Sequence, residues 1–495
     1  MRVTLPFALC AAALLAGCGS PTDSRPGPPA APSAISLAAG DAQAGIVGAA
    51  LGDSLAVRVV DAAGRGVAGV QVQFATEQGS ASPASAVTNA DGMALTRWTL
   101  GEATGAARLT AQAPVLSGVE VAFQATAARV RPSVAPGLTK TCAINSHGRA
   151  FCWGSNASGE LGTNGGPSSP SPVPVATELR FWQIVGGSQH TCALAVDRRA
   201  YCWGLNVDGQ VGEGTLTDRR TPAAVSGGLR FRTLAAGGLG ACGIATTGET
   251  WCWGRGESGQ IGDGKNTLAP TPQRVAGGLA FDAITVGGSH ACGLTADGAA
   301  YCWGYNALGQ IGNGTNASVS VPTPVSGGIR FATLRAGLSI TCGTEAGTGR
   351  GYCWGNDDWD ALGSAVPSEE CVLSGTGGPF VHHCATRPVP VEGPLAWQGV
   401  VPGDVHACGS TGTEIYCWGL NNLGVLGTGN TLSTPVPARV GAFPFVDFGI
   451  YYLHTCGITA ASAVYCWGKN DYGRLGDGTL EDRRVPTPIV GTWLE

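Results

Sequence analysis

The sequence is poor in charged residues and has no excess of basic ones. Only 13% of its 495 residues are charged, and the 34 acidic and 29 basic side chains give a formal net charge of −5. The basic residues are scattered along the chain rather than clustered, which is not the charge pattern of nucleic-acid-binding proteins. We therefore expect no nucleic acid among the partners.

Long helical patterns are also missing after the first 20 residues. In their place stand 79 glycines and 30 prolines, in a chain that is nevertheless 44% hydrophobic. This composition argues against disorder and is typical of many short strands joined by tight turns. The sequence therefore predicts an all-β protein.

The amino terminus has the pattern of an export signal. Arg2 precedes an apolar run from Leu5 to Leu15, which is too short to cross a bilayer as a helix. The run ends in Leu-Ala-Gly-Cys at residues 15–18, which resembles the lipobox of bacterial lipoproteins. The resemblance implies a signal peptide at 1–17 and lipid attachment at Cys18; the alternative is an ordinary signal peptide with an incidental cysteine.

The residues after Cys18 predict where the protein is displayed. Residues 18–33 are rich in Pro, Ser and Gly and predict an extended tether. Gly19 follows the lipobox cysteine where an aspartate would imply retention at the inner membrane. We expect an exported protein, held by its lipid in the cell envelope at the outer membrane or the cell surface.

Residues 34–128 contain no cysteine and form the first predicted domain. Alternating runs such as residues 54–60 and 70–74 have the period of two that half-buried strands need. About seven such strands predict a β-sandwich. The segments 57–74, 88–101 and 105–113 resemble the immunoglobulin-like domains of invasin and intimin, which implies a rigid spacer or adhesive module.

Residues 130–495 repeat a unit of about fifty residues. The tripeptide Cys-Trp-Gly recurs seven times, with its tryptophan at Trp153, Trp203, Trp253, Trp303, Trp354, Trp418 and Trp467. Each unit contains about four short apolar segments bounded by Gly, Pro or Asn. A single four-stranded sheet cannot bury its own faces, whereas seven arranged radially can. The repeat therefore predicts a seven-bladed β-propeller after the sandwich.

The unit resembles the repeat of the regulator of chromosome condensation family. The resemblance lies in the pattern Trp-Gly-x-Asn-x-x-Gly-Gln-Leu-Gly, which matches residues 203–212, 253–262, 303–312, 418–427 and 467–476. It implies seven blades. By the family name alone it also implies an activity like that of guanine-nucleotide exchange factors, because nuclear members act on a small GTPase and chromatin.

The ends of the repeat region predict how the ring closes. Residues 133–142 enter in the middle of a unit, and residues 485–495 match the end of one. We expect the first and last blades to share strands, with residues 130–138 pairing against the carboxy-terminal end.

The cysteines divide into even sets, as expected for disulfides in an exported chain. Each unit has two cysteines on either side of a turn, which predicts seven cross-strand disulfides: Cys142–Cys152, Cys192–Cys202, Cys242–Cys252, Cys292–Cys302, Cys342–Cys353, Cys408–Cys417 and Cys456–Cys466. Zinc is the alternative, because a histidine precedes the first cysteine by two positions in four units, at His190, His290, His406 and His454.

The fifth unit departs most from the repeat and is the candidate binding loop. It carries an insertion at residues 364–388, with Cys371 and Cys384 predicted to form an eighth disulfide. Zinc held by these cysteines and an adjacent histidine is the alternative. The recognition residues we predict are Trp359, Phe380, His382 and His383.

These patterns favour a binding protein over an enzyme. No unique set of catalytic residues and no cofactor motif is evident, so we expect no catalysis, no cofactor and no resident metal. The expected partners are a protein or glycan and, through the lipid, a membrane, with the protein itself monomeric. A secreted propeller enzyme, hydrolase or lyase, and a purely structural envelope component are the alternatives.

Overall fold

The computed structural model describes residues 31–364, 366, 368–375 and 378–491. Within these residues every regular element is a β-strand, in agreement with the predicted all-β class. No helix in this part of the chain is long and apolar enough to span a membrane. The predicted signal peptide, Cys18 and most of the tether lie outside the described residues.

The first domain is a pair of packed antiparallel sheets with one parallel strand at an edge. Its strands are β1 (Ala34–Ala39), β2 (Gln43–Ile46), β3 (Leu55–Val60), β4 (Gln71–Thr76), β5 (Ser80–Ser82), β6 (Ser85–Val87), β7 (Met93–Thr99), β8 (Gly105–Gln112) and β9 (Glu120–Ala128). The sheet orders are β1-β3-β7-β5 and β2-β9-β8-β4-β6.

Alternation along these strands builds the core of the first domain. In β4, for example, Val72 and Phe74 are buried while Gln71 and Gln73 are exposed. Both sheets contribute to one apolar cluster, in which Trp98 of β7 is fully buried. The chain thus has the predicted sandwich of two sheets, with two strands more than the seven expected. The immunoglobulin-like identity of this sandwich stays a prediction.

The rest of the chain forms seven consecutive sheets, the blades. The first three blades consist of β10 (Ser133–Pro136), β11 (Lys140–Ile144), β12 (Ala150–Gly154) and β13 (Ser169–Pro174); β14 (Phe181–Gly186), β15 (His190–Ala195), β16 (Ala200–Gly204) and β17 (Arg219–Ala224); and β18 (Phe231–Ala236), β19 (Gly240–Ala245), β20 (Thr250–Gly254) and β21 (Ala269–Arg274).

The fourth to seventh blades follow the same order, with one exception. They consist of β22 (Phe281–Val286), β23 (His290–Thr295), β24 (Ala300–Gly304) and β25 (Val319–Pro324); β26 (Phe331–Ala336), β27 (Ile340–Glu345), β28 (Gly351–Asn356), β29 (Glu369–Gly375) and β30 (Gly378–Pro390); β31 (Gly399–Pro402), β32 (His406–Ser410), β33 (Ile415–Gly419) and β34 (Thr434–Gly441); and β35 (Phe445–Tyr451), β36 (His454–Thr459), β37 (Val464–Gly468) and β38 (Arg483–Pro488). The fifth blade alone has five strands, because its order is β26-β27-β28-β30-β29.

The repeated tryptophan joins each blade to the one before it. In six of the seven blades the indole Nε1 donates a hydrogen bond of 2.9–3.1 Å to a backbone carbonyl of the preceding blade. A glycine of that blade packs against the same ring. A Cβ atom on Gly262, for instance, would lie 2.6 Å from Nε1 of Trp303. The repeated tryptophan and the last glycine of the preceding Gly-x-x-Gly segment therefore couple neighbouring blades.

Glycines also bring the inner strands of successive blades close together. A Cβ atom on Gly237 would lie 2.2 Å from the carbonyl oxygen of Gly287, and one on Gly287 would lie 2.4 Å from that of Gly337. Because no real Cβ tolerates such distances, the spacing of the blades at this end of the ring depends on glycine.

The ring closes by packing between blades, so the predicted sharing of strands is wrong. Strand β10 pairs with β11 of its own blade, and β38 pairs with β37 of the seventh blade. The two blades meet through side chains. Thr141 Oγ1 and Trp153 Nε1 both donate to the carbonyl of Arg474, at 2.8 and 2.9 Å. The first and seventh blades are each complete in sequence, so the chain closes the ring without exchanging a strand.

Candidate functional site

The candidate site is the part of the fifth blade that departs most from the other six. It consists of the loop 357–363 and a hairpin formed by β29 with the first half of β30, residues 369–375 and 378–384, called here the fifth-blade hairpin. The two strands pair in antiparallel register from Glu369 opposite Cys384 to Gly375 opposite Gly378. The second half of β30 pairs with β28 and completes the blade.

A disulfide fixes the base of the fifth-blade hairpin. Cys371 and Cys384 are bonded, with their Cα atoms 5.9 Å apart. Both are buried and pack against Leu308 of the fourth blade and Leu373 of β29. One face of the hairpin is therefore held against the ring.

Asp358 holds the loop to the hairpin. Its Oδ2 lies 2.6 Å from Nδ1 of His382, and its Oδ1 accepts a 2.8 Å hydrogen bond from the backbone N–H of His383. The N–H of Asp357 donates in turn to the carbonyl of His383, at 2.8 Å. These three bonds set the position of the loop that carries Trp359.

Asp357 takes the place that asparagine has in the regular units. Its Oδ1 accepts from the N–H of Leu362 at 3.2 Å, and its Oδ2 accepts from Ser368 Oγ. Burial raises the pKa of this carboxyl, while the bond from Ser368 acts in the opposite direction. The side chain thus stabilises the loop rather than facing a ligand.

The four predicted recognition residues lie on the same hairpin and loop but not on one face. Trp359 and Phe380 have 47% and 57% of their surface exposed. His382 is half-buried and bound to Asp358, whereas the adjacent His383 is exposed and points to the opposite side of β30. Val372 and Val381, which we did not predict, pair across the strands on the face of His383 and are 51% and 57% exposed.

The cysteines of the regular units form disulfides between directly opposite residues. The seven bonds have Cα–Cα distances of 4.0–4.1 Å. In the register of β23 with β24, Cys292 lies opposite Cys302, and the other blades repeat this arrangement. The sulfur atoms are therefore not free to act as zinc ligands. Among the described residues, no three His, Cys, Asp or Glu side chains form a group that could hold a metal.

Three of the four histidines before these cysteines bind the next blade around the ring, and one of them, His454, lies 3.0 Å from Thr141 Oγ1 of the first blade. His290 Nε2 lies 2.8 Å from Thr341 Oγ1, and His406 Nε2 lies 3.0 Å from Thr455 Oγ1. Burial lowers the pKa of His290 to about 4 and that of His406 to about 3. In the first blade Lys140 has this position, and burial lowers its pKa to about 7 while Glu160 acts in the opposite direction. These buried groups belong to the scaffold.

The central channel is a second concave site, which the sequence did not predict. Its cavity has a volume of about 420 Å³ and is lined by the inner strands of all seven blades. Arg232 and Asp282 approach each other to 3.3 Å at its wall. Burial raises the pKa of Asp447, while the N–H of Val134 and the guanidinium of Arg335 act in the opposite direction. These residues stand at non-repeating positions of the inner strands, so no motif marks them.

Two family models, both described as regulator of chromosome condensation (RCC1) repeat, match the second part of the chain. One matches residues 147–194, 247–294, 297–344, 414–452 and 462–492. The other matches residues 183–210, 281–310 and 445–474. The segments extend from the first to the seventh blade.

Solved structures show the same propeller. Human WBSCR16 is 21% identical over 69% of this chain and 94% of its own, with a TM-score of 0.60. Prp20p from Saccharomyces cerevisiae is 20% identical over 69% of this chain and 86% of its own, with a TM-score of 0.59. Yeast RCC1 (Prp20), solved with Kap60, is 21% identical over 64% and 77%, with a TM-score of 0.56.

At these identities the likeness concerns the fold alone. No match was found among curated proteins. The chain carries repeats of the regulator of chromosome condensation family, and its seven blades form a propeller of that type.

Proposed function

We propose that the protein is an exported, lipid-anchored binding protein of the cell envelope. In this proposal Cys18 carries the lipid, residues 34–128 act as a spacer, and the propeller presents the fifth-blade hairpin to a protein or glycan partner. The recognition side chains are Trp359 on the loop beside the hairpin and Phe380 on the hairpin itself, which are 47% and 57% exposed.

The observation that carries this proposal is the contrast between buried and exposed apolar groups in the fifth blade. The tryptophan of the repeat, Trp354, is fully buried and bonded to the fourth blade, whereas Trp359, only five positions later, is 47% exposed. Exposed aromatic side chains on a rigid support are typical of interaction sites. The disulfide and Asp358 supply that support.

Relatives of the same fold support a role in binding. One yeast structure contains RCC1 (Prp20) bound to Kap60, and the other concerns the binding of Prp20p to Gsp1p and histones. Those partners are the partners of the yeast protein. What carries over to this chain is that a propeller of this type can serve as an interaction platform.

The experiment compares two double variants in capture from envelope extracts. Trp359→Ala/Phe380→Ala removes the exposed aromatics of the site. Val321→Ala/Val485→Ala is the matched control, because these valines are 42% and 50% exposed on outer strands of other blades. We expect the wild type and the control to retain a partner that the first variant loses. Equal retention by all three proteins, or no partner for the wild type, would contradict the proposal.

The anchor has a test of its own. Mass spectrometry of the mature amino terminus should find Cys18 as the first residue, with lipid attached. An unmodified terminus at another residue would reject the lipobox and leave the hairpin proposal untouched.

A further inference from the structure

The outer strands of the blade bodies are protected against pairing with another chain. Each of the seven contains at least one proline, which lacks the N–H that a neighbouring strand needs. They are Pro172 in β13, Pro222 in β17, Pro272 in β21, Pro322 in β25, Pro388 in β30, Pro437 in β34 and Pro486 in β38.

Strand β29 is different. Its sequence, Glu-Glu-Cys-Val-Leu-Ser-Gly, contains no proline, although it is the terminal strand of the sheet of the fifth blade. It lies beyond the part of β30 that carries Pro388. The hairpin therefore adds to this blade an edge that lacks the protection of the other six.

The backbone bonds show which groups of β29 face outward. The carbonyl of His383 accepts from Asp357, on the side of β28, so the peptide groups of the neighbouring residues His382 and Cys384 face β29. Their partners in register are Cys371 and Glu369. The N–H and C=O groups of the alternate residues, Glu370 and Val372, therefore point away from the hairpin.

The side chains around this edge define what would fit. Val372 is exposed beside Val381, and Glu370 is exposed opposite His383. Glu369 adds a second negative charge at the start of the strand, where its Oε2 accepts a 2.7 Å hydrogen bond from Thr386 Oγ1. A complementary strand would carry an apolar side chain against the valines and a basic side chain against Glu370.

We propose that β29 binds an extended, basic and apolar segment of a partner protein by strand addition. The partner strand pairs with the outward peptide groups of Glu370 and Val372 and extends the sheet of the fifth blade. This inference rests on the proposed function and specifies the chemistry of its partner.

The test uses the full chain and a phage-displayed library of short random peptides. We expect selected peptides in which apolar residues alternate with others and which carry Lys or Arg. Val372→Pro removes one outward N–H without touching the ladder to β30 and should weaken binding about tenfold or more. Val372→Thr keeps the N–H and the branched side chain and is the matched control, with an expected loss of less than about threefold.

A second variant keeps the test independent of any local damage by proline. Glu370→Lys should reverse the charge preference and select acidic peptides. The absence of selected peptides, equal binding by Val372→Pro, or an unchanged charge preference would each overturn strand addition. A wild-type dimer that becomes monomeric in Val372→Pro would also overturn it, since a second copy of the chain would then occupy the edge.

The outcomes separate this inference from the proposed function. If Val372→Pro still retains the envelope partner that Trp359→Ala/Phe380→Ala loses, strand addition is wrong and the proposed function stands. If the wild type retains no partner and selects no peptide, both fall.

Discussion

The fourth and fifth blades start alike and diverge after their tryptophans. Both have a cysteine pair bonded across two strands, and both insert a buried tryptophan against the preceding blade. In the fourth blade Asn306 then closes its own loop, donating to the carbonyls of Thr315 and Ala317 at 2.9 and 3.0 Å.

In the fifth blade the fifth-blade hairpin takes the place of this closed loop. Asp357 stands where the fourth blade has Asn306, and Asp360, with a φ of 55°, stands where it has Gly309. A carboxylate cannot donate as an amide does, so Ser368 donates to it instead. Residues bonded to a neighbouring blade therefore maintain the ring, while the side chains that the fifth-blade hairpin and its loop leave exposed are available to a partner.

The largest expected effect tests the two tryptophan environments. Trp303→Ala removes a fully buried ring that joins two blades and should lower the free energy of unfolding by about 3–5 kcal/mol. Trp359→Ala, at an exposed position, should change it by less than about 0.5 kcal/mol. Denaturant titrations of both variants would measure these free energies of unfolding. Similar losses in the two variants would contradict the difference between the buried and the exposed tryptophan.

The pH dependence tests the scaffold histidines. Burial lowers the pKa of His190 from 6.5 to about 3, with Lys140 acting in the same direction. The folded state therefore favours the neutral ring. The part of the unfolding free energy that depends on this neutral ring is fully present above pH 6.5 and is lost as the pH falls toward 3. One such histidine lowers stability by about 3 kcal/mol between pH 6.5 and 4.

The matched variant is His190→Leu, which removes one titrating ring. Lys140 titrates between 10.5 and about 7 and does not contribute in this window. Unfolding free energies at several pH values should show a smaller acid loss in the variant than in the wild type. Parallel curves would show that His190 is not a buried neutral group.

The disulfide of the fourth blade should stabilise the fold, whereas the disulfide of the fifth-blade hairpin should mainly support partner binding. Cys292→Ala/Cys302→Ala opens a bond that closes ten residues in the fourth blade and should cost about 2–3 kcal/mol of unfolding free energy. Cys371→Ala/Cys384→Ala should leave the main unfolding transition nearly unchanged and reduce partner retention. Calorimetry would measure the unfolding of both variants, and capture would measure their partner retention. A large loss of global stability in the second variant would contradict this expectation.

The smallest effect concerns the glycines of the inner strands. Gly237→Ala places a methyl group 2.2 Å from the Gly287 carbonyl and should destabilise the ring by about 1–3 kcal/mol. Gly399→Ala meets no atom within 4 Å and is the control. Thermal unfolding of the two variants should differ; equal midpoints would mean that the blades can shift apart.

Much of the scaffold could be predicted because its chemistry repeats. Seven copies of Cys-Trp-Gly indicate seven blades, and the two cysteines of a unit lie opposite each other because a turn joins their strands. The closure of the ring could not be predicted, because it depends on contacts between residues far apart in sequence, such as the bond from Thr141 Oγ1 to the backbone carbonyl of Arg474.

The candidate site was located but not resolved by the sequence. Its insertion and cysteines were visible as departures from the repeat. The strand pairing that places His382 and His383 on opposite faces, and that exposes Val372, depends on the register of β29 with β30. That register and the contact of Asp358 with His382 bring together residues that no local pattern links.

The most direct test of the account exchanges the two regions within one chain. Residues 356–384 of the fifth blade are replaced by residues 305–318, the regular loop of the fourth, between the equivalent positions Gly355 and Ala385. Thermal unfolding and capture from envelope extracts are then measured on the same protein. We predict a fully folded ring that retains no partner; a ring that unfolds, or one that still retains its partner, would contradict the account.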